Sequence, residues 1–238
     1  MEEVPLGRSV YGSFAAAYAA RVDTKPHNAY YDRPAVLSLL GEVAGQSVLD
    51  CGCGPGVYAE ELLRRGAAVT AVDVTPEMVV LARRRLGDGA RVIEADISAP
   101  MPILRDGEFD AVVCPLVFDY IADLRPVFLE LYRVLKADGR IVFSMSDPYN
   151  NYRYYKLDSY FETVVKGCYW KGFGDPVYVP CVCRPLSEIL NPLSEAGFVL
   201  DRIHEPRPTE EFQRANPGEY DQLTRYPVFL CVRARKPL

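Results

Sequence analysis

The chain is poor in histidine, with His27 and His204 its only two, and it holds a single tryptophan, Trp170. That scarcity excludes a histidine-rich metal centre. No G-x-S-x-G elbow is present, which argues against a Ser-His-Asp hydrolase. No apolar run approaches 18 residues, so no membrane span is expected. The opening residues, MEEVPLGRSV, lack a basic head followed by an apolar stretch, so they do not read as a secretory leader. Basic charge is also short. Lys and Arg number 27 against 32 Asp and Glu, giving a formal net charge of −5 and a pI near 5.2. Nucleic-acid surfaces are usually basic, so no nucleic-acid partner is expected. The arginine runs Arg64-Arg65 and Arg83-Arg84-Arg85 fall at the ends of helical patterns, where cations suit the helix dipole. The seven cysteines are odd in number and irregularly spaced. They read as reduced thiols, and a cytoplasmic location is expected. C-x-x-C knuckles are missing as well. The pairs Cys51-x-Cys53 and Cys181-x-Cys183 have the wrong spacing for zinc, and no metal site is expected.

What is present is regular. Hydrophobic residues make up 49% of the 238 positions and charged residues 25%, the composition of a soluble globule. The length suits one domain over 1–238: N-terminal helices in 1–45, a core in 46–146, an insert in 147–183 and closing elements in 184–238. The Ala-rich stretch Val10 to Val22 predicts one helix, and RPAVLSLLGEV a second with Pro34 in its first turn. Apolar strands then alternate with amphipathic helices. Strands are expected at 47–50, 67–73, 90–96, 109–117 and 140–146. Helices are expected at VYAEELLRRG, PEMVVLARRRLG (with Thr75 as its cap) and RPVFLELYRVLKADG. A helix at PLSEILNPLSEAG, kinked at Pro192, and strands at 198–205 and 227–236 close the chain. The alternation means an α/β fold with a doubly wound, mainly parallel sheet.

The stretch VLDCGCGPG, residues 48 to 56, follows the first strand. Gly52, Gly54 and Gly56 allow a tight turn and let a ligand touch bare backbone at a helix start. The spacing is D-x-G-x-G-x-G with Asp50 ahead, whereas a dinucleotide fingerprint is G-x-G-x-x-G. The early third glycine speaks against a nicotinamide-dependent dehydrogenase. An acid facing the loop suits a ligand with an ammonium group. Asp73 ends the second strand, where a carboxylate can accept both hydroxyls of a ribose. Asp96 ends the third and can accept from an adenine amino group while Ile97 covers the ring.

Taken together, VLDCGCGPG, AVDVTPEMVVLAR, EADIS, FDAVVCPLVFDYI and LYRVLKADGRIVFS resemble, in order and spacing, the successive motifs of the class I S-adenosylmethionine-dependent methyltransferases. The resemblance covers residues 46 to 146. It implies a seven-stranded, Rossmann-like sheet whose last strand is antiparallel, with S-adenosylmethionine as cofactor and S-adenosylhomocysteine as product. It assigns the Gly52–Gly56 loop to the methionine moiety, Asp73 with Val74 to the ribose, Asp96 with Ile97 to the adenine and Met78 to packing near it. It places the backbone around Cys114 at the methionine amino group. Tyr18, Tyr30 and Arg33 would close over the cofactor.

The acceptor is a separate question. The fourth strand runs into CPLVFDY, not the N-P-P-Y of base and glutamine methyltransferases, so a small-molecule acceptor is expected. A tRNA or protein methyltransferase and a non-catalytic cofactor-binding protein are the alternatives. Ten aromatics fall between Tyr149 and Tyr178, in an insert punctuated by Gly167, Gly172 and Gly174. That composition suits a mobile lid over the acceptor, with Tyr149, Tyr152, Tyr155 and Trp170 as its contacts, and equally the insert's own small core. Asp147 and Tyr152 are the candidate catalytic residues. Asp147 fits a general base and, as well, the cap of the next turn.

Overall fold

The structure, a computed structural model, describes residues 5–171, 173 and 175–238, so Gly172 and Gly174 lie outside the described residues. The N-terminal region holds α1 (Leu6–Tyr11), α2 (Ala15–Ala19), a π-helical turn (Asn28–Asp32) and α3 (Arg33–Leu40). The core runs β1 (Ser47–Cys51), α4 (Val57–Arg64), β2 (Ala68–Asp73), α5 (Pro76–Leu86), β3 (Ala90–Glu94), β4 (Phe109–Pro115), α6 (Arg125–Val134) and β5 (Leu135–Ser146). There follow α7 (Pro148–Tyr154), β6 (Val164–Trp170), β7 (Val177–Cys183), α8 (Ser187–Glu195), β8 (Val199–His204), α9 (Glu210–Ala215), α10 (Pro217–Leu223) and β9 (Phe229–Arg235).

Seven strands form one sheet in the order β3-β2-β1-β4-β5-β9-β8. β1 to β5 pair in parallel, and β9, last in the chain, runs antiparallel to both β5 and β8. β1 lies between β2 and β4, so the strand order reverses beside it, and its carboxyl end opens at that switch point. The central strands are apolar because both faces are covered. On one face Phe118, Phe128 and Phe143 pack with ring centroids 5.0 to 5.8 Å apart, joined by residues of α6 and α8. Each such fully buried ring contributes about 1.5–3 kcal/mol. On the other face Val36, Leu40, Leu62 and Ala82, from α3, α4 and α5, cover β1 and β2.

Several local expectations are corrected. The predicted helix Val10 to Val22 is broken at Phe14, whose backbone turns out of the helical region. Burying the Phe14 ring, 7% exposed, against Phe173 overrides the helix preference of the alanines. The helix expected to reach Gly139 stops at Val134, because Leu135, fully buried, already pairs with Phe109 as part of β5. Thr75 sits at the N-terminus of α5, but its side chain caps nothing; its own N–H donates to Asp73 at 2.8 Å. The insert is structured. α7 leads into the hairpin β6–β7, paired in register from Val164↔Cys183 to Trp170↔Val177.

Candidate functional site

The glycine loop lies where the switch point requires. Gly52, Gly54 and Gly56 all have positive φ, +66°, +53° and +88°, the region that L side chains rarely adopt. Their reasons differ. A Cβ at Gly52 would collide with Val117, and one at Gly56 would press on Leu86 and Ala82. A Cβ at Gly54 would meet nothing within 4 Å. Gly54 therefore leaves bare backbone facing open space, and the space is a cavity of about 1660 Å³.

Asp73 fixes this loop. Its Oδ2 accepts from the Gly54 N–H at 2.8 Å and its Oδ1 from the Thr75 N–H at 2.8 Å. The carboxylate also lines the cavity, where it can accept from a ligand hydroxyl. Burial raises the Asp73 pKa, and those backbone amides oppose it. Val74, Met78, Asp96 and Ile97 line the same cavity. Asp96 stands two residues past the end of β3, its Oδ1 accepting from the Ser98 N–H at 2.8 Å and the Ser98 hydroxyl at 2.6 Å. Tyr18 and Arg33 also face the cavity. The Arg33 guanidinium donates to the Val22 carbonyl at 3.0 Å.

Other expected residues do not reach it. Tyr30 packs beside Tyr31, Phe212 and Leu223, and its carbonyl accepts from Thr209, so it ties the π-helical turn to α9 instead. The Asp50 carboxylate is sealed from solvent beneath the loop, with no donor at hydrogen-bonding geometry among the described residues. Burial pushes it up to about 7, the Ala59 amide opposing and the Asp73 charge adding. It acts on the loop as a charge behind the wall and touches no open space. The Cys114 side chain is fully buried; the cavity is lined by the next residues, Pro115 and Leu116. Gly56 serves packing between α4 and α5.

Asp147 is a cap. Its Oδ1 accepts from the Asn150 N–H at 2.7 Å at the start of α7, and it does not line the cavity. Tyr149 and Tyr152 pack on each other, and Tyr152 on Tyr160, away from the cavity; Tyr149 is 61% exposed. α7 turns that face outward and presents Asn150, Asn151, Arg153, Tyr154 and Tyr155 inward. Of the four expected lid contacts, Tyr155 and Trp170 line the cavity.

Sequence reasoning missed much of the aromatic part of the lining. Tyr11, Tyr120 and Phe173, which it did not single out, converge with Tyr18 and Trp170, which it did, from α1, α2, the turn after β4 and the hairpin. The Tyr11 and Tyr120 hydroxyls are 2.9 Å apart, and the Tyr18 and Phe173 rings stack at 5.5 Å. Burial pushes both the Tyr11 and Tyr120 phenols up, so both stay protonated at neutral pH. Asp119, also missed, is buried at the cavity edge and accepts from the Ser146 N–H at 3.0 Å and its hydroxyl at 2.9 Å. Leu116 has φ +56°, strained for a bulky residue and placed at the cavity. No sequence pattern marks it. Among the described residues no group of three or more His, Cys, Asp or Glu is placed to hold a metal ion. No helix among them is long and apolar enough to cross a membrane.

Comparison with known proteins meets this geometry. The family described as methyltransferase domain matches residues 49–143. An uncharacterized protein of Haemophilus influenzae is 26% identical over 230 residues, 88% of each chain. A ubiquinone biosynthesis O-methyltransferase of Xanthomonas oryzae pv. oryzae is 32% identical over 105 residues, 43% of this chain and 44% of that one, so the match spans under half of that enzyme. In fold, the chain is similar to an S-adenosylmethionine-dependent methyltransferase from Mesorhizobium loti, with a TM-score of 0.70 and 24% identity over 90% of this chain and 99% of that one. The matched motifs are those that build the glycine loop, the Asp73 clamp and β4, so residues 49–143 are similar to a methyltransferase domain, and the whole sheet follows the plan of the solved methyltransferase.

Proposed function

We propose that the protein methylates a small molecule, held between the glycine loop and the aromatic wall. The observation that carries this is Gly54, whose missing side chain faces open cavity while its amide is pinned by Asp73. The residues fit S-adenosylmethionine. Gly52 to Pro55 would hold the methionine moiety, Asp73 the ribose, and Asp96 with Ile97 and Met78 the adenine. When bound, that cofactor supplies an already activated sulfonium methyl. Asp32, Asp73 and Asp119 are buried in the cavity wall with Asp50 behind them, and this concentration of acids favours a cationic ligand.

The remaining work of the chain is alignment and exclusion of water. Tyr11, Tyr18, Trp170 and Phe173 form an aromatic wall of stacked and edge-on rings against which a planar acceptor can pack. The Tyr11–Tyr120 hydroxyl pair, one O–H donating to the other, leaves one protonated donor for an acceptor oxygen. Asp119 is the carboxylate at the cavity edge and takes the place first given to Asp147. The Xanthomonas relative, named for ubiquinone biosynthesis, supports a small-molecule acceptor. The test is calorimetric binding of S-adenosylhomocysteine, followed by transfer of a labelled methyl group to a panel of small phenols and catechols. Binding with turnover on members of the panel is expected. Binding without turnover on any small acceptor, but with turnover on tRNA or protein, would overturn the reading.

A further inference from the structure

Lys25 lines the cavity between the N-terminal helices and the hairpin. Its ammonium stands 4.3 Å from the centroid of the Trp170 ring and 4.5 Å from that of Phe173. Among the described residues the ammonium has no hydrogen bond and no ion pair. Glu219 is the carboxylate whose charge reaches it, but Glu219 lies within 3.3 Å of His27 instead. Other cations of the molecule are met by acids: Arg85 by Asp23 and Glu60, and Lys136 by Asp110. A half-buried ammonium resting on two rings has surrendered water and gained only ring faces, which are weaker partners than a carboxylate. Burial accordingly lowers its pKa to about 8. An anion brought into the cavity would supply the missing partner.

We propose that Lys25 is the anchor for an acidic group on the acceptor, so that the acceptor is a flat aromatic molecule bearing a carboxylate or similar anion. This rests on the methyltransferase reading of the cavity. The rings of Trp170 and Tyr11 give the planar part its seat, and the ammonium over Trp170 sets where the anion lies. Lys25 contributes charge and orientation; no bond is made or broken there.

Trp170 is the only tryptophan in the chain, so its fluorescence reports directly on the ring beneath Lys25. The probes are 4-hydroxybenzoate and its uncharged analogue 4-hydroxybenzamide, titrated with S-adenosylhomocysteine saturating. The carboxylate should bind about 10- to 100-fold more tightly than the amide, the scale of a charge-assisted contact. Lys25→Met should erase that preference and leave the amide's affinity unchanged. Lys25→Arg should restore most of it. Calorimetry should give the same S-adenosylhomocysteine affinity in all three proteins. Equal binding of both probes, a preference that survives in Lys25→Met, or no quenching by either probe would overturn the assignment. Failure of the wild type to bind S-adenosylhomocysteine would bring down the methyltransferase reading instead, and the two probes titrated alone would still report on the anion preference.

Discussion

The two walls of the cavity are built differently. The wall proposed for the methyl donor is built on a glycine loop at the end of β1, pinned by an acid at the end of β2, with a second acid past β3. All of it falls within residues 50 to 97, and neighbouring strands of one sheet hold it. The wall proposed for the acceptor is made of side chains from four separate places, near residues 11 to 25, 120, 154 and 168 to 179. It is held by ring contacts, without strand pairing to the main sheet. Strand register places a group to within a fraction of an ångström and tolerates little change. A ring cluster positions its members by packing and can be rebuilt piece by piece.

The sharpest way to break this contrast is at Gly54. Valine there would meet a positive φ that β-branched residues resist and would fill the space left for the ligand. Gly54→Val should weaken S-adenosylhomocysteine binding by more than about 100-fold while circular dichroism stays that of the folded protein. Affinity kept within a few fold would make the loop a mere turn. Next comes Asp73→Ala. It removes the carboxylate that accepts from Gly54 and Thr75, and charge-assisted bonds of this type are worth about 1.5–3 kcal/mol. Cofactor affinity should fall roughly 10- to 150-fold by calorimetry.

Trp170→Ala tests the other wall. Losing ring contacts worth roughly 0.5–1.5 kcal/mol each should raise acceptor KM by about 10-fold. S-adenosylhomocysteine affinity should stay within about twofold on the same scale. A variant that loses cofactor affinity and spares acceptor use would place Trp170 with the donor and end the two-wall description.

The smallest effect concerns Asp50, buried behind the donor wall. Its pKa in the folded chain is raised from the ordinary 3.8 to about 7, mainly by burial. The folded state therefore binds this proton more tightly than the unfolded one. The resulting stability is complete below about pH 4 and is lost as pH rises through 7. Asp32, pushed up to about 6 by burial, acts in the same direction. In Asp50→Asn the loss at this site disappears. The melting temperature of the variant minus that of the wild type should therefore grow more positive between pH 4 and pH 8. A difference that is flat over this range would show that Asp50 stays ionised and compensated.

That the glycine loop, Asp73 and Asp96 share one cavity was legible because they are consecutive in sequence. VLDCGCGPG and AVDVTPEM each carry strand, turn and helix start within a dozen residues, and the strand alternation fixes their relative places. Even there, the sequence did not distinguish Gly54, which faces the ligand space, from Gly56, which packs against α5. Both satisfy the same turn. The sequence likewise could not tell that Asp50 would be sealed while Asp73 faces the cavity, since both end strands and differ only in depth. The acceptor wall was half legible. The wealth of rings in the insert was visible, but α7 turns Tyr149 and Tyr152 outward and Tyr155 inward, a matter of helical phase set by where Asp147 caps. Tyr11, Tyr120 and Lys25 were invisible, because only folding brings them beside Trp170.

The hairpin β6–β7 has a consequence for descent. It forms its own two-stranded sheet and shares no hydrogen-bonded edge with the seven strands. Its rings, and those of the short N-terminal helices they meet, can be exchanged for others without moving a single paired residue of the core. On the proposed reading, lineages that inherit this sheet can diverge in what they methylate while keeping the same methyl donor, and identity between them should decay fastest along the hairpin and the first thirty or so residues.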